Sequence, residues 1–171
     1  MDDYGFRYDQ RFNHKDALDH VKQRWNPYTE LSKHIYKPIK MKLNEKVLPL
    51  HVKYPIFWEY YYLNKSIEYR LYSSSYWQSI YKNKDNYRFA DVFAAYRPKG
   101  ECQLRFEIKS ITILNNVNET NPSGLRIVSS KPVLKIEFGE CVDAAVNANT
   151  MSAVFRNWSD WNKQEKRVYG F

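Results

Sequence analysis

Residues 103–114 read QLRFEIKSITIL, and this stretch decides the fold class. The apolar Leu104, Phe106 and Ile108 alternate with charged residues, and side chains of a strand point alternately to its two faces. We therefore predict a half-buried β-strand here. At Ser110 the apolar positions change phase, so we expect a bulge or bend at the Lys109–Ser110 step.

Similar alternation over residues 67–71 and 133–138, together with the short apolar run 125–128, predicts further strands. The spacing of Val154 and Trp158 supports a helix after residue 140. We predict an α+β fold, with a mostly antiparallel sheet over about residues 65–138, flanked by N-terminal helices and by that later helix. A β-sandwich or jelly-roll-like arrangement is the alternative.

The chain of 171 residues is long enough for one domain with a substantial core. Residues 1–37 show helical spacing of apolar side chains and form the predicted helical N-terminal region. Residues 38–53 are interpreted as an exposed basic connection, residues 115–123 as a loop, and residues 157–171 as a polar tail.

Composition excludes several classes of protein. The 29 aromatic residues (5 Trp, 15 Tyr and 9 Phe) argue against a disordered chain. Two cysteines are too few for a disulfide scaffold or a four-cysteine zinc module, so a reducing compartment is expected. With no signal peptide or membrane span in the sequence, we expect a soluble protein of the cytoplasm or of a virion. An excess of residues with AT-rich codons is typical of a phage, a virus, an organelle or a low-GC bacterium.

Basic and aromatic residues are interleaved in the first two thirds of the chain. Residues 33–53 hold six lysines and one glutamate, and the net charge of the whole chain is +8. Because Lys and Arg neutralise phosphates while rings stack on bases, this pattern favours contact with nucleic acid, either DNA or RNA. The predicted contact residues are Lys33, Lys37, Lys40, Lys42, Lys46, Lys53, Lys82, Lys84, Arg88, Trp77 and Tyr81.

A more specific pattern consists of Asp91 followed by Glu107-Ile108-Lys109. It resembles the motif of the PD-(D/E)xK nuclease family. The resemblance implies that Asp91 and Glu107 bind Mg²⁺ and that Lys109 positions or activates the attacking water. Glu59 is the candidate for the additional acidic residue that this family often supplies from a preceding helix. The implied protein is a small Mg²⁺-dependent nuclease.

Two alternatives stay open. Glu107 and Lys109 also suit the solvated face of an antiparallel sheet, paired with charges on a neighbouring strand. Asp91 lies within a stretch whose apolar spacing, from Phe89 to Tyr96, also fits an amphipathic helix. The second function is a non-catalytic structural subunit, either a virion coat component or a member of a ribonucleoprotein complex, which would self-assemble or join a larger complex.

Overall fold

A five-stranded sheet forms the centre of the computed structural model, which describes residues 46–97, 101–120, 126–162 and 168–170. The strands are β1 (Lys46–Val52), β2 (Ile67–Leu71), β3 (Tyr87–Ala94), β4 (Cys102–Leu114), β5 (Val117–Thr120), β6 (Arg126–Ser129), β7 (Val133–Val146) and β8 (Val168–Gly170). The helices are α1 (Tyr54–Tyr62), α2 (Ser75–Lys82) and α3 (Ala148–Asn162), and a short 3₁₀ turn spans Lys84–Asn86.

The strand order of the central sheet is β1-β3-β4-β7-β2. Only the β1–β3 pair in it is parallel, and the other three pairs are antiparallel. A smaller sheet has the order β5-β6-β8. The predicted α+β class with a mostly antiparallel sheet is therefore confirmed. Within the described residues, no helix is long and apolar enough to cross a membrane.

The sheet extends beyond the predicted limits at both ends. Residues 46–52, interpreted as irregular connection, form β1, in which Leu48, Leu50 and Val52 are buried. The lysine content of the region hid this alternation. At the other end β7 continues to Val146, so the helix after residue 140 begins only at Ala148.

Two smaller regions also differ from the sequence interpretation. Val117–Thr120, within the predicted loop, pairs with β6 because a hairpin partner can stabilise a polar strand that has little β-propensity of its own. In the predicted polar tail, α3 continues to Asn162. The predicted N-terminal helices over residues 1–37 lie outside the described residues.

The predicted irregularity in residues 103–114 is confirmed. The pairing of β4 with β7 shifts register between Arg105 and Phe106, between Phe106 and Ile108, and between Ile108 and Ser110. Each such bulge increases the local twist of a strand pair. These shifts lie in the two longest strands of the sheet, and we infer that they allow it to curl.

One face of the sheet carries the main core, packed against α1 and α3. The helices contribute mostly large rings, among them Phe57, Trp58 and Trp158, because the curled sheet leaves a wide space to fill. Trp58 of α1 contacts Phe155 of α3 at a ring-centroid distance of 4.9 Å. This layer holds α1 against the sheet, so that both ends of the helix have defined positions.

The two edge strands of the central sheet meet at one point. Arg70 of β2 donates a hydrogen bond from Nη2 to the carbonyl oxygen of His51 in β1, at 3.0 Å. Strands β1 and β2 are the opposite edges of the sheet, with three strands between them. The sheet is therefore strongly curled without closing into a barrel, and residues from both edges can form one surface.

Candidate functional site

The residues of the predicted metal site are divided between the sheet and a helix. Glu107 and Lys109 project from the same face of β4: a β-carbon added at Gly139 would lie 3.6 Å from Cβ of Glu107 and 3.5 Å from Cγ of Lys109. Asp91 lies on the neighbouring strand β3, and its cross-strand partner is Arg105, two residues before Glu107. The amphipathic-helix interpretation of Asp91 is therefore wrong.

Asp91 is engaged by an arginine. Nε of Arg105 donates to Oδ1 of Asp91 at 2.7 Å and Nη2 donates to Oδ2 at 2.9 Å, a bidentate pair that occupies both carboxylate oxygens. Glu59 is buried on α1, which packs on the sheet face lined by Ala90 and Val92. Because side chains alternate along β3, Asp91 points to the opposite face.

The positions of Asp91, Glu107 and Glu59 determine whether these residues can share the Mg²⁺ ion that the motif implies. Among the described residues, no three His, Cys, Asp or Glu side chains come close enough together to hold a metal ion. Glu59 therefore does not join Asp91 in one site, the Mg²⁺ implied by the motif stays a prediction, and we derive no catalytic step through a metal. The nuclease remains a prediction from the sequence motif.

The predicted cations are distributed over several elements. Lys82 and Lys84 lie at the end of α2 and just after it, and Arg88 and Lys46 lie exposed near the starts of β3 and β1. Lys53 follows β1 at its other end. The remaining predicted residues Lys33, Lys37, Lys40 and Lys42 lie outside the described part of the chain.

A continuous series of rings and cations crosses the point where the sheet edges meet; we call these five side chains, Tyr96, His51, Arg70, Trp77 and Tyr76, the aromatic–basic row. Tyr96 stacks on His51 at 5.0 Å between ring centroids. The Arg70 guanidinium, which binds the His51 carbonyl, lies 5.6 Å from the centroid of the Trp77 ring. Trp77 in turn contacts Tyr76 edge-on at 4.9 Å.

Both ends of the aromatic–basic row face solvent. Tyr96 is 89 % exposed and Tyr76 is 50 % exposed, and no other large hydrophobic side chain of the described residues is exposed. Partial burial raises the pKa of Tyr76, nearby Tyr87 raises it further, and Arg70 lowers it. Tyr76 therefore lies within electrostatic reach of both Arg70 and the start of β3.

The backbone presents Tyr96 to solvent. Ala95 has a positive φ of 51°, which turns the chain sharply after β3. Its N–H donates to the Val52 carbonyl at 2.7 Å, and its own carbonyl lies 2.9 Å from Nδ1 of His51. Because a carbonyl can only accept, Nδ1 of His51 is the donor, and Nε2 is unprotonated when the ring is neutral. Phe93 also stacks on His51, at 5.1 Å between ring centroids, and helps to fix the ring.

A cavity of about 320 Å³ opens beside the aromatic–basic row. Its lining combines charged and aromatic side chains from both sheet edges with Ile56 of α1 and Ile127 of β6. The charged and ring-bearing members are His51, Lys53, Lys65, Glu68, Tyr69, Arg70 and Tyr96. With three full positive charges against one negative charge, the lining suits an anionic ligand.

One wall of the cavity contains a buried polar network. The Tyr60 hydroxyl donates to a Glu68 carboxylate oxygen, while Nζ of Lys65 lies 3.1 Å from that hydroxyl and 3.4 Å from the same carboxylate oxygen. Arg70 lies 3.5 Å from the other Glu68 oxygen. Burial alone would raise the pKa of Glu68, but Lys65, Arg70 and the Tyr60 hydroxyl together hold it below its usual value. Burial, reinforced by the Glu68 charge, raises the pKa of Tyr60 well above its usual value.

Trp77 and Lys53 were singled out from the sequence, whereas His51, Arg70, Tyr76 and Tyr96 were not. Those four belong to segments far apart in the chain, and none carries a local motif. The one sequence signal for this site was the alternation in residues 67–71, which places the charged Glu68 and Arg70 on the same face of the predicted strand.

Comparison of the chain with protein families, with curated proteins and with solved structures finds no match. A function for this protein therefore has to be inferred from the chemistry of its own side chains.

Proposed function

We propose that this protein binds single-stranded nucleic acid through the aromatic–basic row. The observation that carries the proposal is the contact series from Tyr96 to Tyr76, which places four rings and the Arg70 guanidinium next to one another, with both end rings open to solvent. Proteins that bind single strands combine stacking rings with a positive groove that follows the backbone.

The exposed faces of Tyr96 and Tyr76 are available to bases. An exposed tyrosine whose other face rests on a fixed ring is a stacking platform that loses little side-chain freedom on binding. Tyr96 has such support from His51, which is itself fixed by Phe93. Bases of a duplex are stacked within the helix, so a platform of this kind favours single strands.

Cations beside the row supply phosphate contacts. Arg70 lies within it, Lys53 lines the adjacent cavity, and Lys82 and Lys84 lie at the end of the helix that carries Tyr76. Lys82 and Lys84 make no salt bridge with a carboxylate of the described residues, so their charges remain to attract phosphates. Nζ of Lys84 lies 4.6 Å from the Tyr81 ring centroid, a cation–π contact that orients the ammonium group.

Fluorescence anisotropy with labelled single-stranded DNA and RNA of mixed sequence tests the proposal. Replacing Tyr96→Ala or Tyr76→Ala removes an exposed platform, and stacking worth about 1–3 kcal/mol per base predicts a loss of affinity of about tenfold for each variant. Tyr96→Phe is the matched control: it keeps the ring and should keep the affinity. A duplex of the same sequence should bind more weakly.

Two results would contradict the proposal. The first is no binding of any single strand by the wild-type protein at low salt, and the second is unchanged affinity in both alanine variants. The same samples incubated with Mg²⁺ should show intact strands. Cleavage that Glu107→Ala abolishes would instead support the nuclease.

A further inference from the structure

The geometry of the cavity beside the aromatic–basic row points to a second, more specific role: we propose that it binds the phosphomonoester of a nucleotide, either free or at the end of a strand, while Tyr96 stacks on the base. If the ligand is a phosphate at the end of a strand, this inference rests on the proposed function. If the ligand is a free nucleotide, the inference is independent of the proposed function. The cavity volume of about 320 Å³ lies at the lower end of the range for small-molecule sites.

Two residues that line the cavity each carry a buried polar atom without a partner. The Tyr69 hydroxyl is buried, on a residue only 7 % exposed, and it has no hydrogen-bond partner among the described residues. Nε of Arg70 is likewise buried and unpartnered within that part of the chain. Both residues line the cavity. Burying a donor without an acceptor is unfavourable, so a ligand in the cavity that offered acceptors to these atoms would be stabilised.

The start of α1 lies at the same place. Lys53 is the N-cap and Ile56 lies in the first turn, and both line the cavity. The helix has no side-chain cap at this end, no acidic residue in its first turn, and a proline that removes one of its N–H groups. An uncapped N-terminus carries partial positive charge and suits a phosphate.

The ligand class follows from the mixture of groups. Phosphate oxygens accept hydrogen bonds from hydroxyl and guanidinium donors such as those of Tyr69 and Arg70, which point to opposite sides of the edge strand β2, and the phosphate charge complements Lys53. The Lys65 ammonium already contacts Tyr60 and Glu68, so it fixes the wall and contributes charge. Glu68 lies between Lys65 and Arg70 and holds both in place, which leaves the net charge of the lining positive. The exposed Tyr96 ring at the rim adds a platform for a base, which inorganic phosphate would not use.

The experiment compares three oligonucleotides of one sequence, which carry a 5′-phosphate, a 3′-phosphate or no terminal phosphate. A nucleoside and its 5′- and 3′-monophosphates are tested as free ligands. Affinities are measured by anisotropy competition and by calorimetry. We expect the monophosphates to bind while the nucleoside does not, and one phosphorylated strand to bind about tenfold more tightly than the unphosphorylated strand. Inorganic phosphate alone should bind more weakly than the monophosphates.

Tyr69→Phe removes only the unpartnered hydroxyl and should abolish most of the terminal-phosphate preference without changing the affinity for the unphosphorylated strand. Tyr76→Ala, at the far end of the row, should lower the affinity of all three strands by the same factor and leave monophosphate binding intact. Circular dichroism and thermal unfolding verify that both variants fold.

The outcomes separate the two proposals. Strands that bind equally well with and without a terminal phosphate, together with no monophosphate binding, would overturn this inference and leave strand binding standing. Monophosphate binding without strand binding would support the cavity assignment and overturn the proposed function. A phosphate preference unchanged in Tyr69→Phe would overturn the role of this cavity.

Discussion

Tyr60, Lys65 and Glu68 form the most buried charged cluster beside the candidate site. Removing charges from water costs several kcal/mol unless each ion is paired and hydrogen-bonded, and here the glutamate has a hydroxyl donor and two cations. The cluster holds Arg70 in place through the Glu68 carboxylate. It therefore connects the packing of β2 to the position of a proposed ligand-binding side chain.

Glu68→Gln should weaken this cluster and change the pH dependence of stability. The folded-state pKa of Glu68 is lowered, so the carboxylate stabilises the fold above the unfolded-state pKa of about 4.3 and this contribution is lost as pH falls through the lower folded-state pKa. Breaking a buried pair costs about 3–5 kcal/mol, and we expect a loss near the lower limit at pH 7 because the amide keeps a hydrogen bond. Urea unfolding at neutral and acidic pH measures both effects.

Glu137→Gln is the matched control, since the Ser110 hydroxyl and Lys135 lower the pKa of Glu137 as well. Its side chain is 40 % exposed, so solvent screens the interaction and the loss of stability should stay below about 1 kcal/mol. If the free energy of unfolding fell equally steeply with decreasing pH in wild type and in Glu68→Gln, Glu68 would not be the source of the pH-dependent stabilisation.

At the scale of elements, the end of β3 determines where the exposed platform lies. The strand is buried on both faces from Phe89 to Ala94, and the chain then turns at Ala95 into the left-handed region. Asn64 and Asn116, the other non-glycine residues of the described chain with positive φ, are of a type that tolerates it. Alanine at such a position is strained, and the bonds to Val52 and His51 hold it there.

Ala95→Gly should therefore stabilise the protein. The left-handed conformation costs an alanine about 1–2 kcal/mol, while glycine loses about 0.5–1 kcal/mol more backbone entropy on folding, which leaves a net gain of up to about 1 kcal/mol. Thermal or urea unfolding measures the difference. Ala94→Gly is the control: φ is ordinary and the methyl group is fully buried, so that variant should be destabilised. Destabilisation of both variants would contradict the strained turn.

At the scale of the whole molecule, charge pairing distinguishes the sheet face from the end of α2. On the sheet face, Arg105 is paired with Asp91 and Lys135 with Glu137. Lys82 and Lys84 have no such carboxylate within the described chain. Interleaved charges of both signs give little long-range field, whereas lysines without a carboxylate partner, on the helix that carries Tyr76 and just after it, steer a polyanion to that surface.

The salt dependence of binding tests this distribution of charge. Each phosphate contact on a single strand contributes about 0.7 to the slope of log affinity against log salt concentration. Lys82→Gln and Lys84→Gln should each reduce the slope by about that amount. Arg156→Gln, an exposed cation on α3, should leave it unchanged. Equal slopes in all four proteins, with the wild type included, would remove both lysines from the interface.

Much of the sheet could be predicted from alternation along single strands. Residues 103–114 indicated β4 and the place of its bulge because burial of one face imposes a period of two and a change of phase marks an inserted residue. β1 was missed because lysines at its ends concealed Leu48, Leu50 and Val52. The short motif at Asp91 predicted a metal site without indicating that Arg105, directly across the strand pair, occupies its carboxylate.

By itself, the sequence determined the fold class, the half-buried character of the central strands and the excess of positive charge, since each depends on local periodicity or on composition. Only the tertiary structure decided which cations and rings share a surface. The contact between Arg70 and His51 exists because the long strands β4 and β7 curl the sheet until its two edges meet. No local sequence pattern predicts that the two sheet edges meet, because their approach depends on the accumulated twist of five strands and on the rings that pack inside the curled sheet.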